Sequence, residues 1–174
     1  FKTRPYIVQA LIARGKHIGI GDAFERALYF ARKDIERRGI QEKLKPFYVA
    51  SMSARTVVYK GLFVSPVLGN FYFDLRNPLF ESALALVHQR YSTNTFPSWE
   101  LAQPFRMLCH NGEINTLSGN IAWMNAREPF FASSHFGEFL DAEGHVPVQP
   151  LLDLSTSDSG ILDNGLELVF MGGR

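Results

Sequence analysis

The stretch His88-Gln89-Arg90-Tyr91-Ser92-Thr93-Asn94-Thr95-Phe96-Pro97, followed shortly by Cys109-His110-Asn111-Gly112-Glu113-Ile114-Asn115-Thr116, decides how this chain is read. Each half lies at the end of a short apolar run, Ala83 to His88 and Phe105 to His110, with the length and composition of a strand. Polar groups therefore crowd the ends of two predicted strands. An arginine and several hydroxyls stand on a rigid scaffold there, and a following turn aims backbone N–H groups into the same space. Such an arrangement suits a small anionic substrate.

Outward from this centre, Phe47 to Ser51 and Arg55 to Tyr59 are further predicted strands, separated by turn-forming residues. A helix is predicted after Gly21: Asp22 and Glu25 fit a capping box, Phe24, Leu28, Ala31 and Ile35 recur on one face, and Gly39 is the expected end. Its opposite face carries Arg26, Arg32, Lys33, Glu36, Arg37 and Arg38, read as a solvated surface in preference to an anion site. The dipeptide Asn111-Gly112, prone to positive φ, turns the chain, and Ile114, Leu117, Ile121 and Met124 then follow helical spacing. A last helix is predicted from near Ser157, with Ile161, Leu162, Leu166 and Val169 inward and Gly172-Gly173 past its end. Without repeats or low-complexity linkers, residues 1–174 read as one α+β domain of strands layered with helices.

Composition narrows the function. A formal net charge of +1 lacks the basic excess of a nucleic-acid binder, and no apolar run is long enough to span a membrane. Cys109 is the one cysteine, so no internal disulfide can form, and His17, His88, His110, His135 and His145 lack metal-ligand spacing. No metal is expected, and a soluble cytoplasmic protein is the default. The chain opens on Phe1-Lys2-Thr3 without an initiator methionine or a signal-peptide pattern, which reads as a start partway through something longer.

Several residues carry two readings each. Arg90 offers a planar fork of donors for a carboxylate, or a structural ion pair. Asn111 and Gly112 supply a side-chain amide and a backbone N–H suited to an oxyanion hole, or an ordinary hairpin turn. Asp158 can accept a substrate ammonium, or complete a capping box with Ser155. Cys109 and His110 suggest a thiolate and its base, but neighbours on a strand point to opposite faces, so Cys109 reads as a small buried hydrophobe.

Taken together these segments resemble the class II glutamine amidotransferase domain of glutamate synthase. The likeness runs through His88 to Trp99, Pro104 to Arg106, His110 to Asn120, Trp123 to Glu128, Ser53 to Gly61 and Ser157 to Asn164, with a fainter echo from Phe24 to Arg32. It implies an Ntn-hydrolase fold, an αββα sandwich of stacked antiparallel sheets, incomplete in this chain. It also implies hydrolysis of L-glutamine to glutamate and ammonia. By the same resemblance Arg90 holds the α-carboxylate, Tyr91 and Thr93 shape the pocket, Asp158 binds the α-ammonium, and Asn111 with Gly112 forms the oxyanion hole.

The resemblance departs at the nucleophile. The family uses an amino-terminal cysteine whose own α-amino group is the general base, whereas position 1 here is Phe1, and Cys109 stands where the family commonly has alanine. The chain as written is therefore expected to hold glutamine without turning it over; a non-catalytic glutamine-binding or structural module is the alternative. A missing first strand is expected to leave a sheet edge that a second copy of the chain or rearranged termini cover. The resemblance further implies that FMN and an iron–sulfur cluster act in other domains of the parent enzyme, none being used in this domain. The expected compartment is the cytoplasm, or the plastid stroma in a plant or alga.

Overall fold

The periodicity after Gly21 becomes α1, Asp22–Gln41, in a computed structural model that describes residues 3–44, 46–89, 96–140, 142 and 150–173. Three more α-helices follow among the described residues: α2 (Leu68–Phe71), α3 (Leu117–Arg127) and α4 (Asp158–Met171). Short 3₁₀ turns occur at Ser65–Val67, Phe73–Arg76, Glu128–Phe130 and Ser134–Phe139. α1 packs against α4, and the core between and beside them is Tyr29, Phe30, Phe136, Leu151, Leu168 and Met171. Phe30 is central: its ring meets Tyr29 and Phe136 edge-on and stacks on Phe139 at 4.6 Å. A second aromatic group joins Phe63, Phe71, Tyr72 and Trp99 around α2.

The helix ends differ from expectation because tertiary contacts claim the capping residues. Asp22 is the first helical residue and Gly21, at φ 68°, is the cap, with no side-chain bond closing it. Glu25 is buried and accepts instead from Ser53 Oγ (2.7 Å) and the Ala54 N–H (2.8 Å), so it ties α1 to the next segment. Gly39 lies inside α1, where any Cβ would meet the Phe47 ring at 2.6 Å; the helix ends two residues later. At α4 the predicted box of Ser155 and Asp158 does not form. Ser157 caps the helix by accepting from the Gly160 N–H at 3.3 Å, while Ser155 bonds Asp153.

The inward faces are also rotated relative to the apolar stripes. Ala31 and Ile35 of α1 are exposed, as are Leu162, Leu166 and Val169 of α4, whereas Arg32, Asp163 and Glu167 are buried. Arg32, read from sequence as solvated, bonds Glu36 at 2.6 Å and Glu167 at 2.5 Å and lies over the Tyr29 ring. Burial opposes its charge, but Glu167 and Glu36 outweigh burial and raise its pKa. Glu36 also pairs with Arg106 at 2.8 Å, so two arginines and two carboxylates form one network. Leu28 and Ile161 of the predicted stripes are buried, so ionic partners join apolar side chains in turning these faces inward.

No strand forms among the described residues, so the runs at Phe47 to Ser51, Arg55 to Tyr59, Ala83 to His88 and Phe105 to His110 are not paired as the sequence suggested. In the second and fourth of these runs several backbone donors are committed elsewhere. Ser53 Oγ takes the N–H groups of Arg55 and Thr56, Ser51 Oγ takes that of Val58, and Asp163 takes those of Arg106, Met107 and Leu108. Strand-type residues are stable as strands only when a ladder satisfies the backbone, and side chains have taken that role here. The chain exposes 12437 Å², where a monomer of its 19.7 kDa exposes about 8,600 Å². Much of its apolar surface is therefore uncovered, including Leu84, Val87 and Phe96. No helix among the described residues is long and apolar enough to cross a membrane.

Lys60 is a further buried charge. Its Nζ donates to the Glu100 carbonyl at 2.7 Å and sits 5.2 and 5.4 Å from the ring centroids of Tyr48 and Phe105. Burial, and next the charge of Arg106, pull its pKa down to about 8. Above that value the unfolded chain, whose lysine titrates near 10.5, binds more protons than the folded one. The Lys60 contribution to stability is therefore expected to rise with pH from about 8 to about 10. Urea denaturation of the protein and of Lys60→Met over that range tests it: the difference between the two should change with pH, and parallel profiles would count against this assignment.

Candidate functional site

The Asn111-Gly112 turn is built by fixing the backbone before it. Phe105 donates to the Leu108 carbonyl at 2.9 Å, and Asp163 of α4 accepts from Arg106 (3.2 Å), Met107 (2.7 Å) and Leu108 (3.2 Å). Gln103 then clasps the main chain of His110 with both ends of its amide: Oε1 accepts from the His110 N–H at 2.8 Å, and Nε2 donates to its carbonyl at 3.1 Å. Asn111 and Gly112 follow directly, both exposed. Neither has the positive φ expected of an Asn-Gly turn; the left-handed residue is Thr116, at φ 58°, which starts α3. The clasp at Gln103 and the anchor at Asp163 bend the chain without needing glycine's freedom. A Cβ at Gly112 would approach only His110 Nδ1, at 3.4 Å.

Two side-chain bonds connect this turn to the other candidate residues. His110 Nε2 lies 2.7 Å from Ser159 Oγ, which places the residue before Asn111 against the residue after Asp158. His88 Nε2 lies 2.8 Å from Asn111 Oδ1. An amide oxygen can only accept, so the His88 nitrogen carries the proton and the Asn111 Nδ2 donors point away from it. Asp158 opens α4 and is exposed, and among the described residues its carboxylate has no hydrogen-bond partner. Arg90, Tyr91 and Thr93 lie outside the described residues. The residues that lead to them, His88 and Gln89, are held by Asn111 and by Ser65 Oγ (2.6 Å).

Cys109 is half-buried, short of the core position expected of it, with Sγ 3.8 Å from the Val87 carbonyl. The His110 imidazole is engaged with Ser159, so it does not serve Cys109 as a base. Among the described residues no group of three or more His, Cys, Asp and Glu could hold a metal ion. A cleft of about 860 Å³ runs beside the site; His88 and Gln89 line it with Lys60, Arg106 and Glu167, whereas Asn111, Gly112 and Asp158 stand outside its lining.

The His110–Ser159 bond ties the segment carrying the Asn111-Gly112 turn to the start of α4, where Asp158 has no hydrogen-bond partner among the described residues. Donors fixed in advance stabilise charge that develops on a carbonyl oxygen, and an unpaired carboxylate can receive an ammonium. His88, Gln103, Asp163 and Ser159, which do the positioning, were not singled out from sequence. One signal was present: Asp163 and Glu167 form a like-charged i,i+4 pair on a helix otherwise rich in Ile and Leu, an unfavourable pairing unless outside partners compensate.

Residues 1–174 match the family described as glutamine amidotransferases class-II. Among relatives, the chain is 49% identical over 173 residues to the glutamate synthase (NADPH) large chain of Bacillus subtilis (strain 168) and 46% identical over 173 residues to that of Azospirillum brasilense. It is 44% identical over 174 residues to the chloroplastic ferredoxin-dependent glutamate synthase of Oryza sativa subsp. japonica. Each match covers 99% of this chain but only 10% or 11% of the relative, so the chain spans about a tenth of the length of the proteins it matches. The chain belongs to the class-II glutamine amidotransferases.

Proposed function

We propose that this chain holds L-glutamine and stabilises the oxyanion in the glutaminase domain of a glutamate synthase, the 174 residues forming one part of that domain. In this reading glutamine is hydrolysed to glutamate and ammonia, and other domains of the parent protein transfer the ammonia to 2-oxoglutarate. The observation that carries it is the His110–Ser159 bond, which joins the Asn111-Gly112 turn to the helix that begins with Asp158. Arg90 receives the α-carboxylate, Tyr91 and Thr93 shape the pocket, Asp158 receives the α-ammonium, and Asn111 Nδ2 with the Gly112 N–H receives the oxygen of the amide under attack. An amino-terminal cysteine thiolate is the attacking group in this scheme, its α-amino group taking and returning the proton as ammonia leaves. Water then releases glutamate from the thioester. Cys109, held at the Val87 carbonyl, is not that group.

The complete domain is proposed to be the αββα Ntn-hydrolase sandwich, with the unpaired run Ala83 to His88 as one of its strands. The uncovered surface is then the contact for the rest of the parent protein, in the cytoplasm or in a plastid. An experimental structure of the whole domain with that run unpaired would count against it. FMN and the iron–sulfur cluster are assigned to other domains, since a single cysteine cannot supply the thiolates that a cluster requires.

The test is a glutaminase assay of the full-length protein. Arg90→Ala and Asp158→Ala each remove one charge-assisted contact to substrate, and each is expected to raise KM for glutamine by about 10- to 100-fold. Unchanged KM in both variants would sink the reading.

A further inference from the structure

Resting on the glutaminase reading, we propose that Asp163 is a positioning residue for the oxyanion hole, and that Ser159 is its second anchor on the same helix. Asp163 is 1% exposed, and both its oxygens face the segment that leads to the hole. It collects three successive backbone N–H groups, Arg106 to Leu108, three to five residues before Asn111. A carboxylate that accepts three consecutive main-chain donors leaves that stretch one path through space. From the other side, the Arg106 guanidinium grips Glu36 and the Val49 carbonyl, so the segment is held at both faces. Ser159 then fixes the His110 imidazole one residue before Asn111.

The consequence lies in what one helix connects. Asp158 and Asp163 are separated by five residues on α4, about 7.5 Å along its axis. Asp158 meets the substrate ammonium, while Asp163 and Ser159 place the donors that meet the transition-state oxygen. The ammonium contact comes from α4 itself and the carboxylate contact from Arg90 on another segment, so neither needs Asp163 to be in place. Loosening Asp163 therefore shifts the donors while substrate binding persists, and a displacement near 1 Å costs about 10²-fold in rate. The effect belongs in kcat and not in KM.

The experiment compares Asp163→Asn, Asp163→Ala and Ser159→Ala in the full-length protein, measuring kcat and KM for glutamine hydrolysis. Active sites are counted by covalent labelling with an electrophilic glutamine analogue. Asp163→Asn keeps an oxygen for Met107 and Leu108 but turns an NH₂ group on the Arg106 N–H, and is expected to lower kcat per active site about 10-fold; Asp163→Ala, about 100-fold. Ser159→Ala removes only the His110 anchor and is expected to lower kcat about 3- to 10-fold, with KM in every variant within about twofold of wild type. Because Asp163→Ala strips three buried donors and can fail to fold, the Asn and Ser159 variants decide the matter. Unchanged kcat per active site in those two, or a loss expressed in KM, overturns the positioning role. If Asn111→Ala also leaves kcat unchanged, the glutaminase reading falls with it; if Asn111→Ala is crippled, only the positioning role falls.

Discussion

Asn111→Ala is expected to lower kcat for glutamine hydrolysis by about 10²- to 10³-fold while changing KM little, because the lost donor acts on charge that exists only after attack has begun. In the proposed reading the donor end of the amide is the part that matters. His88 occupies Oδ1 at 2.8 Å, and the clasp of Gln103 on His110 fixes the backbone, so Nδ2 is the end left to face a substrate. Asn111→Asp keeps the shape and the His88 contact but replaces the donor with an acceptor, and should lose at least as much. Steady-state glutaminase kinetics of the full-length protein with both variants measures this. A rise in KM at unchanged kcat would instead make Asn111 a ground-state contact, and an aspartate variant as active as wild type would remove the oxyanion role altogether.

Glu167→Ala is expected to be the most destabilising single substitution in the α1–α4 interface. It leaves Arg32, 1% exposed, without its 2.5 Å partner, and an uncompensated buried charge costs about 3–5 kcal/mol. Glu36 still bonds Arg32 at 2.6 Å, which places the expectation at the lower end of that range. Replacing both partners, Arg32→Met with Glu167→Leu, should recover most of the loss, since a well-packed apolar pair avoids the desolvation that the ion pair must overcome. Amide hydrogen exchange of α4 in the full-length protein reads the local stability directly. Equal protection in Glu167→Ala and wild type would show that the network contributes nothing there.

The two outcomes depend on different levels of the molecule, and the sequence is legible to different depths in each. The run from His88 to Pro97 and the turn at Asn111-Gly112 are contiguous motifs, so the residues proposed to hold glutamine can be read one after another along the chain. The places of α1, α3 and α4 were legible as well, because 3.6-residue spacing is local. The inward faces were legible only in part. Apolar periodicity selected Leu28 and Ile161, which are buried, but also Ile35, Leu162 and Val169, which are not, and it passed over the buried pair Arg32 and Glu167, 135 residues apart. The predicted strands are unpaired among the described residues for a related reason: strand propensity describes a side chain's fit to a sheet, but a sheet also needs a neighbouring backbone. In the runs at Arg55 to Tyr59 and Phe105 to His110, Ser51, Ser53 and Asp163 take several of the donors instead.

By itself, then, the sequence determined the family and the places of α1, α3 and α4, because each depends on residues near one another in the chain. Only the tertiary structure decided which charges are buried, that His110 rests on Ser159, and that Asp163 holds the approach to Asn111. Those are pairings between distant segments. A charged side chain goes inside only where a partner from elsewhere offsets its desolvation, and no local pattern reports that partner.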